Sequence, residues 1–265
     1  MGRRQWICGV SLGLFLFARA GDAQWRDPKL IAGQMGFNIA VSFVGKMLVH
    51  HETPGRAFKQ ALKEGTVSGL MAHAGYTIAG QNPSYALVGK ILVQKSSLTT
   101  RRSIRGLPVF NETLYSHWEL THSFVHFKWD GSAHVELDAI NAAFTAYYLF
   151  SPDQYDFDLR RSLLSGSVVL LNRDPPSGLR GYYVPGVIWI DASRDDAQSV
   201  LSHEIIHSFQ SERGSAIKEW HYNNIRFNWL VFASGVPAFL AGWPEHDTRL
   251  HEIEANKYAG TEHPH

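Results

Sequence analysis

Residues 193–210 constrain this chain more than any other stretch, because they contain His203-Glu204-Ile205-Ile206-His207. An α-helix advances about 100° per residue, so four residues bring His207 back to within about 40° of His203. Val200, Leu201, Ile205, Ile206 and Phe209 supply the apolar spacing of a helix with one buried face. Ser193 is the predicted N-cap, with Asp195 and Asp196 in the first turn, where a helix dipole favours acids, and Gly214 is the predicted stop. On such a helix both imidazoles reach one metal ion at about 2 Å. Glu204 lies one step round from His203. It is too offset to ligate beside both histidines, but it is placed to hold a water as general base. Even with 14 His in the chain, random placement yields this pattern only on the order of 0.03 times per chain.

The third ligand must come from elsewhere. The metzincin continuation needs Gly at 210 and His at 213, and the chain has Gln210 and Arg213. Residues 248–260 read as a second helix, capped by Asp247 or Thr248 and stopped by Gly260. Glu252 and Asn256 stand one turn apart on it. Glu252 completes a His, His, Glu set that leaves a fourth position for water. Asn256, on the same face, is placed to hold the non-ligating nitrogen of a ligand imidazole. Glu254, His251 and His246 are alternative ligands by residue type. His221, Tyr222 and Tyr258 are candidates, again by type alone, for a group that steadies an oxyanion.

The two segments together resemble the gluzincin metallopeptidases, especially those of family 48. Those proteins carry HExxH on one helix and E-x-x-A-D on a second. The matching residues are His203-Glu204-Ile205-Ile206-His207 and Glu252-Ile253-Glu254-Ala255-Asn256, with Asn256 standing where the family has Asp. A neutral amide raises the basicity of a ligand histidine less than a carboxylate does. The resemblance covers roughly residues 165–260. It implies a zincin-like C-terminal domain, Zn2+ on His203, His207 and Glu252, and Glu204 as the catalytic base. It also implies that residues 187–191 form the edge strand on which an extended peptide substrate lies.

The rest of the chain is read from its residues. Arg3 and Arg4, the apolar run 6–18 and the small residues before Gly21 and Gln24 form the three-part plan of a signal peptide over 1–23. Export is therefore expected, to the periplasm or cell envelope. The one cysteine, Cys8, falls within this segment, so no disulfide framework is available. Residues 24–112 read as an apolar, glycine-rich helical region followed by a basic linker. Residues 66–89 carry no Asp, Glu, Lys or Arg, and small residues recur at helical spacing (Gly65, Gly69, Ala72, Gly75, Ala79, Gly80). Small residues let helices approach closely, in lipid or in water, so a helical hairpin with a membrane-leaning surface is predicted over 30–94, with two readings open: peripheral membrane contact there, or a helix pair buried in a soluble fold, the commoner outcome for apolar runs with internal Gly, Pro and His. Residues 95–112, with Arg101, Arg102, Arg105, Gly106 and Pro108, read as the linker.

Residues 113–265 read as the zincin-like domain. Asp130-Gly131 marks a hairpin turn, 133–137 its return strand, 140–150 a buried helix, and 168–172 and 187–191 further strands. His117, His122, His126 and His134 fall on the first hairpin, with no carboxylate or Cys to complete a ligand set. Residues 228–243 are apolar but broken by Gly235 and Pro237, and read as a core helix or a bent segment under the site. The fold class is thus α+β, with a small antiparallel sheet and the HExxH helix preceded by the glycine-rich hairpin. A formal charge of +1 and the lack of a phosphate-binding glycine loop exclude a nucleic-acid partner. The expected function is zinc-dependent peptide-bond hydrolysis by an exported envelope protein acting on a peptide or protein substrate. The alternative is a non-catalytic zinc-binding structural or membrane-associated envelope protein.

Overall fold

Pro28 and Pro54 stand in the first turns of two long helices, where a missing backbone N–H costs nothing. These helices open the computed structural model, which describes residues 27–107, 109–110, 116–151, 154–173, 180–191, 193–213, 219–222, 225–228 and 250–261. The expected signal peptide at 1–23, His246 and most of 228–243 lie outside them. The first helix, α1 (Pro28–His50), is capped by Asp27, whose carboxylate accepts from the Lys29 N–H. It turns through His51, in left-handed backbone at φ 52°, into α2 (Pro54–Gln81). A 3-10 turn (Pro83–Tyr85) leads into α3 (Ala86–Ile104).

The predicted hairpin is therefore a layer of three helices. Residues 95–104 belong to α3 and are not a linker. The physical reason is that Ser96, Ser97, Thr99, Thr100 and Ser103 are small enough to be buried within the layer. Thr100 donates to Asn38 Oδ1 at 2.8 Å there, and Ser68 Oγ lies 2.6 Å from Thr100 Oγ1.

Small residues set how closely the helices pack. A Cβ on Gly69 would stand 2.5 Å from Met35 Cα of α1, and one on Gly80 would collide with the Tyr258 carbonyl. Gly33, by contrast, has nothing within 4 Å.

After α3 come β1 (Trp118–His122), β2 (Val125–Trp129), β3 (Ala133–Asp138) and α4 (Ala139–Leu149). The Asp130-Gly131 turn forms as expected. A second turn, at Ser123 (φ 56°), has no signal in the sequence, because it carries no Gly or Asn. It puts His122 and His126 on different strands. Next are β4 (Tyr155–Phe157), α5 (Leu159–Ser165), β5 (Val168–Asn172), β6 (Gly181–Val184) and β7 (Val187–Ile190). The described chain ends in α6 (Ala197–Arg213), β8 (Glu219–Tyr222), β9 (Ile225–Asn228) and α7 (Leu250–Ala259). The fold is α+β, with seven α-helices and two sheets among the described residues.

The sequence implies a small antiparallel sheet, but neither sheet is purely antiparallel. One runs β1-β2-β3-β9-β8, with β3 parallel to β9; the other runs β4-β5-β7-β6, with β5 parallel to β7. Residues 187–190 are not an edge. The two-residue turn at 185–186 adds β6 outside β7, and all four residues of β7 are buried.

One continuous core joins the two halves of the chain. Ala72, Tyr76, Ala79 and Val93 of α2 and α3 pack with Ile188, Ile190, Ile205, Ile206, Phe209, Ala255 and Tyr258. A buried ion pair pins α3 to α6: Lys90 Nζ lies 2.7 Å from Glu212, which also accepts from Gln94 Nε2 at 2.6 Å. Gln94 in turn accepts from the Thr121 N–H at 2.8 Å, tying in β1. No helix among the described residues is long and apolar enough to cross a membrane.

Close approach at Gly80 makes a paired test. Gly80→Ala must push α2 off α7 and should lower unfolding stability by about 1–3 kcal/mol. Gly33→Ala, in open space, should raise it by about 0.5–1 kcal/mol. Urea unfolding followed by circular dichroism checks both, and equal effects would contradict the packing described.

Candidate metal centre

α6 begins at Ala197, three residues later than a cap at Ser193 would start it. Ser193 instead bonds Asp191 through both its N–H (3.0 Å) and its hydroxyl (2.6 Å), closing a turn. Asp196 supplies the helix's first acceptor carbonyl, taking the Ser199 and Val200 N–H groups. The late start leaves the helical phase of the motif unchanged.

His203 and His207 project from α6 with ring centroids 4.6 Å apart and planes at 83°. Their Nε2 atoms are 2.9 Å apart. α7 crosses α6 and brings Glu252 Oε2 to 3.2 Å from His203 Nε2 and 3.0 Å from His207 Nε2. His203 and Glu252 are each 2% exposed. The three residues form a group able to hold a metal ion. Ligand atoms at the corners of a tetrahedron around a zinc-sized ion stand about 3.3 Å apart, so the set needs to open by only a few tenths of an ångström. The electrostatics also favour a cation. Burial alone would lower the basicity of His207, but Glu252, Glu204 and Gln210 outweigh it and raise it.

The partner of His207 Nδ1 is Gln210, not Asn256. Asn256 Oδ1 accepts from the Thr261 hydroxyl at 2.9 Å, at the end of its own helix. The reason is position along the axis: Asn256 stands one turn beyond Glu252, where α7 is already finishing at Gly260 (φ 68°). Gln210, one turn beyond His207 on α6, puts Oε1 2.8 Å from His207 Nδ1. Its Nε2 donates to Glu254 Oε2 at 2.9 Å, and Glu254 Oε1 accepts from Gln34 Nε2 of α1 at 2.6 Å. A carboxylate only accepts, so Glu254 fixes which end of the Gln210 amide faces it. Gln210 Oε1 must then face His207, whose Nδ1 becomes the donor and whose Nε2 keeps a lone pair for a metal. Glu254 is therefore not in the ligand set; it orients the residue that orients a ligand. The i+3 spacing of Gln210 from His207 is the signal that sequence offers for it. Nothing in sequence marks Gln34, which lies 220 positions from Glu254.

Glu204 is fully buried beside this set. Desolvation pushes its carboxyl up to about 7, with Glu252 adding to the rise and His207 and the donated Tyr183 backbone N–H opposing it. That N–H comes from β6. The Arg180 carbonyl accepts from the Asp191 N–H at 2.9 Å, and bonded pairs alternate along an antiparallel ladder. Tyr182 and Val184 therefore bond β7, while the Gly181 and Tyr183 backbones turn outward, β6 being the last strand of its sheet among the described residues. Gly181 is required there: a Cβ would stand 2.5 Å from Val200 Cγ1 and 3.2 Å from Glu204 Oε1. Another sequence candidate, Tyr258, and the hairpin residue His126 are engaged elsewhere. Tyr258 is a core residue whose hydroxyl meets His73 Nδ1 at 2.8 Å, and His126 Nδ1 meets Thr121 at 2.7 Å. His246 and the side chains of His221, Tyr222 and His251 lie outside the described set. The chain matches no protein-family model, no curated protein and no solved structure.

Two measurements follow from the geometry. His203→Ala and His207→Ala should each abolish divalent-metal binding measured by competition with a fluorescent chelator. Gln210→Ala should weaken it about 10–100-fold, the usual cost of losing a partner that orients a ligand, with Glu254→Gln falling between Gln210→Ala and wild type. Full affinity in Gln210→Ala would remove that residue from the centre.

Proposed function

We propose that this protein is a zincin-like, zinc-dependent peptidase of gluzincin type, exported to the periplasm or cell envelope, with His203, His207 and Glu252 as the zinc ligands. The donor set of two imidazoles and one carboxylate suits zinc and leaves a coordination position open. When bound, the metal supplies a Lewis acid to polarise a peptide carbonyl and activate water.

The observation that carries the reading is the place of Glu204. It is buried against the ligand set without joining it, and it touches the backbone of an edge strand. An extended substrate pairing with β6 would use the outward groups of Gly181 and the Tyr183 carbonyl, the Tyr183 N–H being held by Glu204. Its peptide backbone would then pass beside Glu204. Glu204 takes a proton from the attacking water and returns it to the leaving amine, the two transfers that peptide hydrolysis requires. Gln210, held by Glu254, keeps His207 in the tautomer that ligates. Residues 187–191 keep a role as the strand that supports β6.

The alternative, a non-catalytic structural zinc protein, is favoured by one feature. His203, Glu204 and Glu252 are each 2% exposed, and structural sites are closed. Glu204→Gln separates the two readings. In a peptidase it should leave one zinc per chain and lower hydrolysis of a quenched-fluorescent peptide library by about 10²–10⁴-fold. Unchanged hydrolysis, or none in the zinc-loaded wild type, would leave the structural reading standing.

A further inference from the structure

α1 is folded with its polar side inward. Gln34, Asn38, Ser42 and Lys46 recur every four residues, and all are buried. Three of them hold partners within the layer or beneath it. Gln34 reaches Glu254, Asn38 accepts from Thr100, and Lys46 pairs with Glu64 at 3.2 Å and Gln60 at 2.9 Å. Turning that stripe inward turns the apolar stripe outward. Val44, Leu48 and Val49 are 49%, 70% and 56% exposed, and Phe58 and Leu62 of α2 are 52% and 47% exposed. The edge contact between Phe43 and Phe58, with centroids 6.1 Å apart, joins the two helices at this end.

The same end is cationic. Arg56, Lys59, Lys63 and Arg105 are exposed around it. The two acids described there are both committed: Glu52 faces Arg56 at 3.7 Å, and Glu64 pairs with Lys46. The chain as a whole carries only +1, so this local excess of positive charge is a property of the hairpin end. Exposed aliphatic and aromatic side chains ringed by Lys and Arg match a bilayer whose headgroups are anionic and whose acyl boundary is apolar.

We propose that the α1–α2 hairpin end docks on an anionic lipid surface, inserting Val44, Leu48, Val49, Phe58 and Leu62 while Arg56, Lys59 and Lys63 meet the headgroups. Leu48 lies about 20 Å along α1 from Gln34, the α1 residue that reaches Glu254. The proposal is independent of the peptidase reading.

The test uses the full chain carrying Cys8→Ser, with an environment-sensitive fluorophore on Leu48→Cys. A matched protein carries it on Ser84→Cys, an exposed position at the opposite end of α2. Vesicles of phosphatidylcholine with phosphatidylglycerol should blue-shift the label at 48, and spin-labelled lipid should quench it, while the label at 84 stays unchanged. Phosphatidylcholine alone should give little response, and raising the salt from about 0.1 M to about 1 M should reverse the response, as screening shortens to about 3 Å. Lys59→Glu with Lys63→Glu should lower the vesicle-bound fraction at least tenfold with an unchanged melting curve. If that variant fails to fold, the two labelled proteins still decide. No quenching at 48, equal quenching at 48 and 84, or an equal response to neutral vesicles would overturn the proposal. So would a lipid-free blue shift that grows with protein concentration, which would make the surface an interface between copies of the chain.

Discussion

The Glu252 carboxylate is the constraint that the centre of the molecule answers. Burying an ionised carboxylate costs several kcal/mol unless positive charge and hydrogen bonds replace its water. Two imidazole nitrogens stand at 3.0 and 3.2 Å from it, where a bound cation would supply that charge, and the three groups meet only if two helices far apart in sequence cross at one point. The crossing of α6 with α7 is fixed by Ile205, Ile206, Phe209, Ala255 and Tyr258 beneath it. A second carboxylate on α7, Glu254, orients Gln210 and through it His207. The cost of placing polar groups inside is thus met by a chain of hydrogen bonds running from α1 to the histidine.

That chain explains why the glycine-rich helices are part of the centre and not an appendage. Gly80 lets α2 touch the α7 backbone, and Gln34 reaches Glu254 from α1. Once Gln34, Asn38 and Lys46 face inward, the rotation of α1 is set, because turning it would take each of them away from its partner. The exposed apolar stripe is the consequence. A helix with both an apolar and a polar side has two ways to pack, and here the polar contacts prevail.

Much of the site is legible in the amino-acid order. His203, Glu204 and His207 can be read there because helical phase is a local property: one strong period places all three whatever the rest of the chain does. Glu252 can be read as well, since a carboxylate on a second helix is what a His, His pair lacks. Asn256 carries the right residue type for a task that Gln210 performs. Helical phase shows which residues share a face, but not how far along the axis the neighbouring helix crosses. Residues 187–191 look like an edge for a related reason. An apolar strand shows that it is buried, while the order of strands depends on a turn at 185–186 whose pairing partner lies outside the local pattern.

The helix that carries His203, Glu204 and His207, the close-packing helices and the general α+β composition follow from the amino-acid order alone, since each depends on spacing within a few turns of one element. Three outcomes belong instead to the assembled fold: which residue orients His207, which strand lies against Glu204 and which side of α1 faces outward. They rest on contacts such as Gln34 with Glu254, 220 positions apart. A local period carries no information about partners at that distance, because the register between two helices is set by the packing of both and not by either alone.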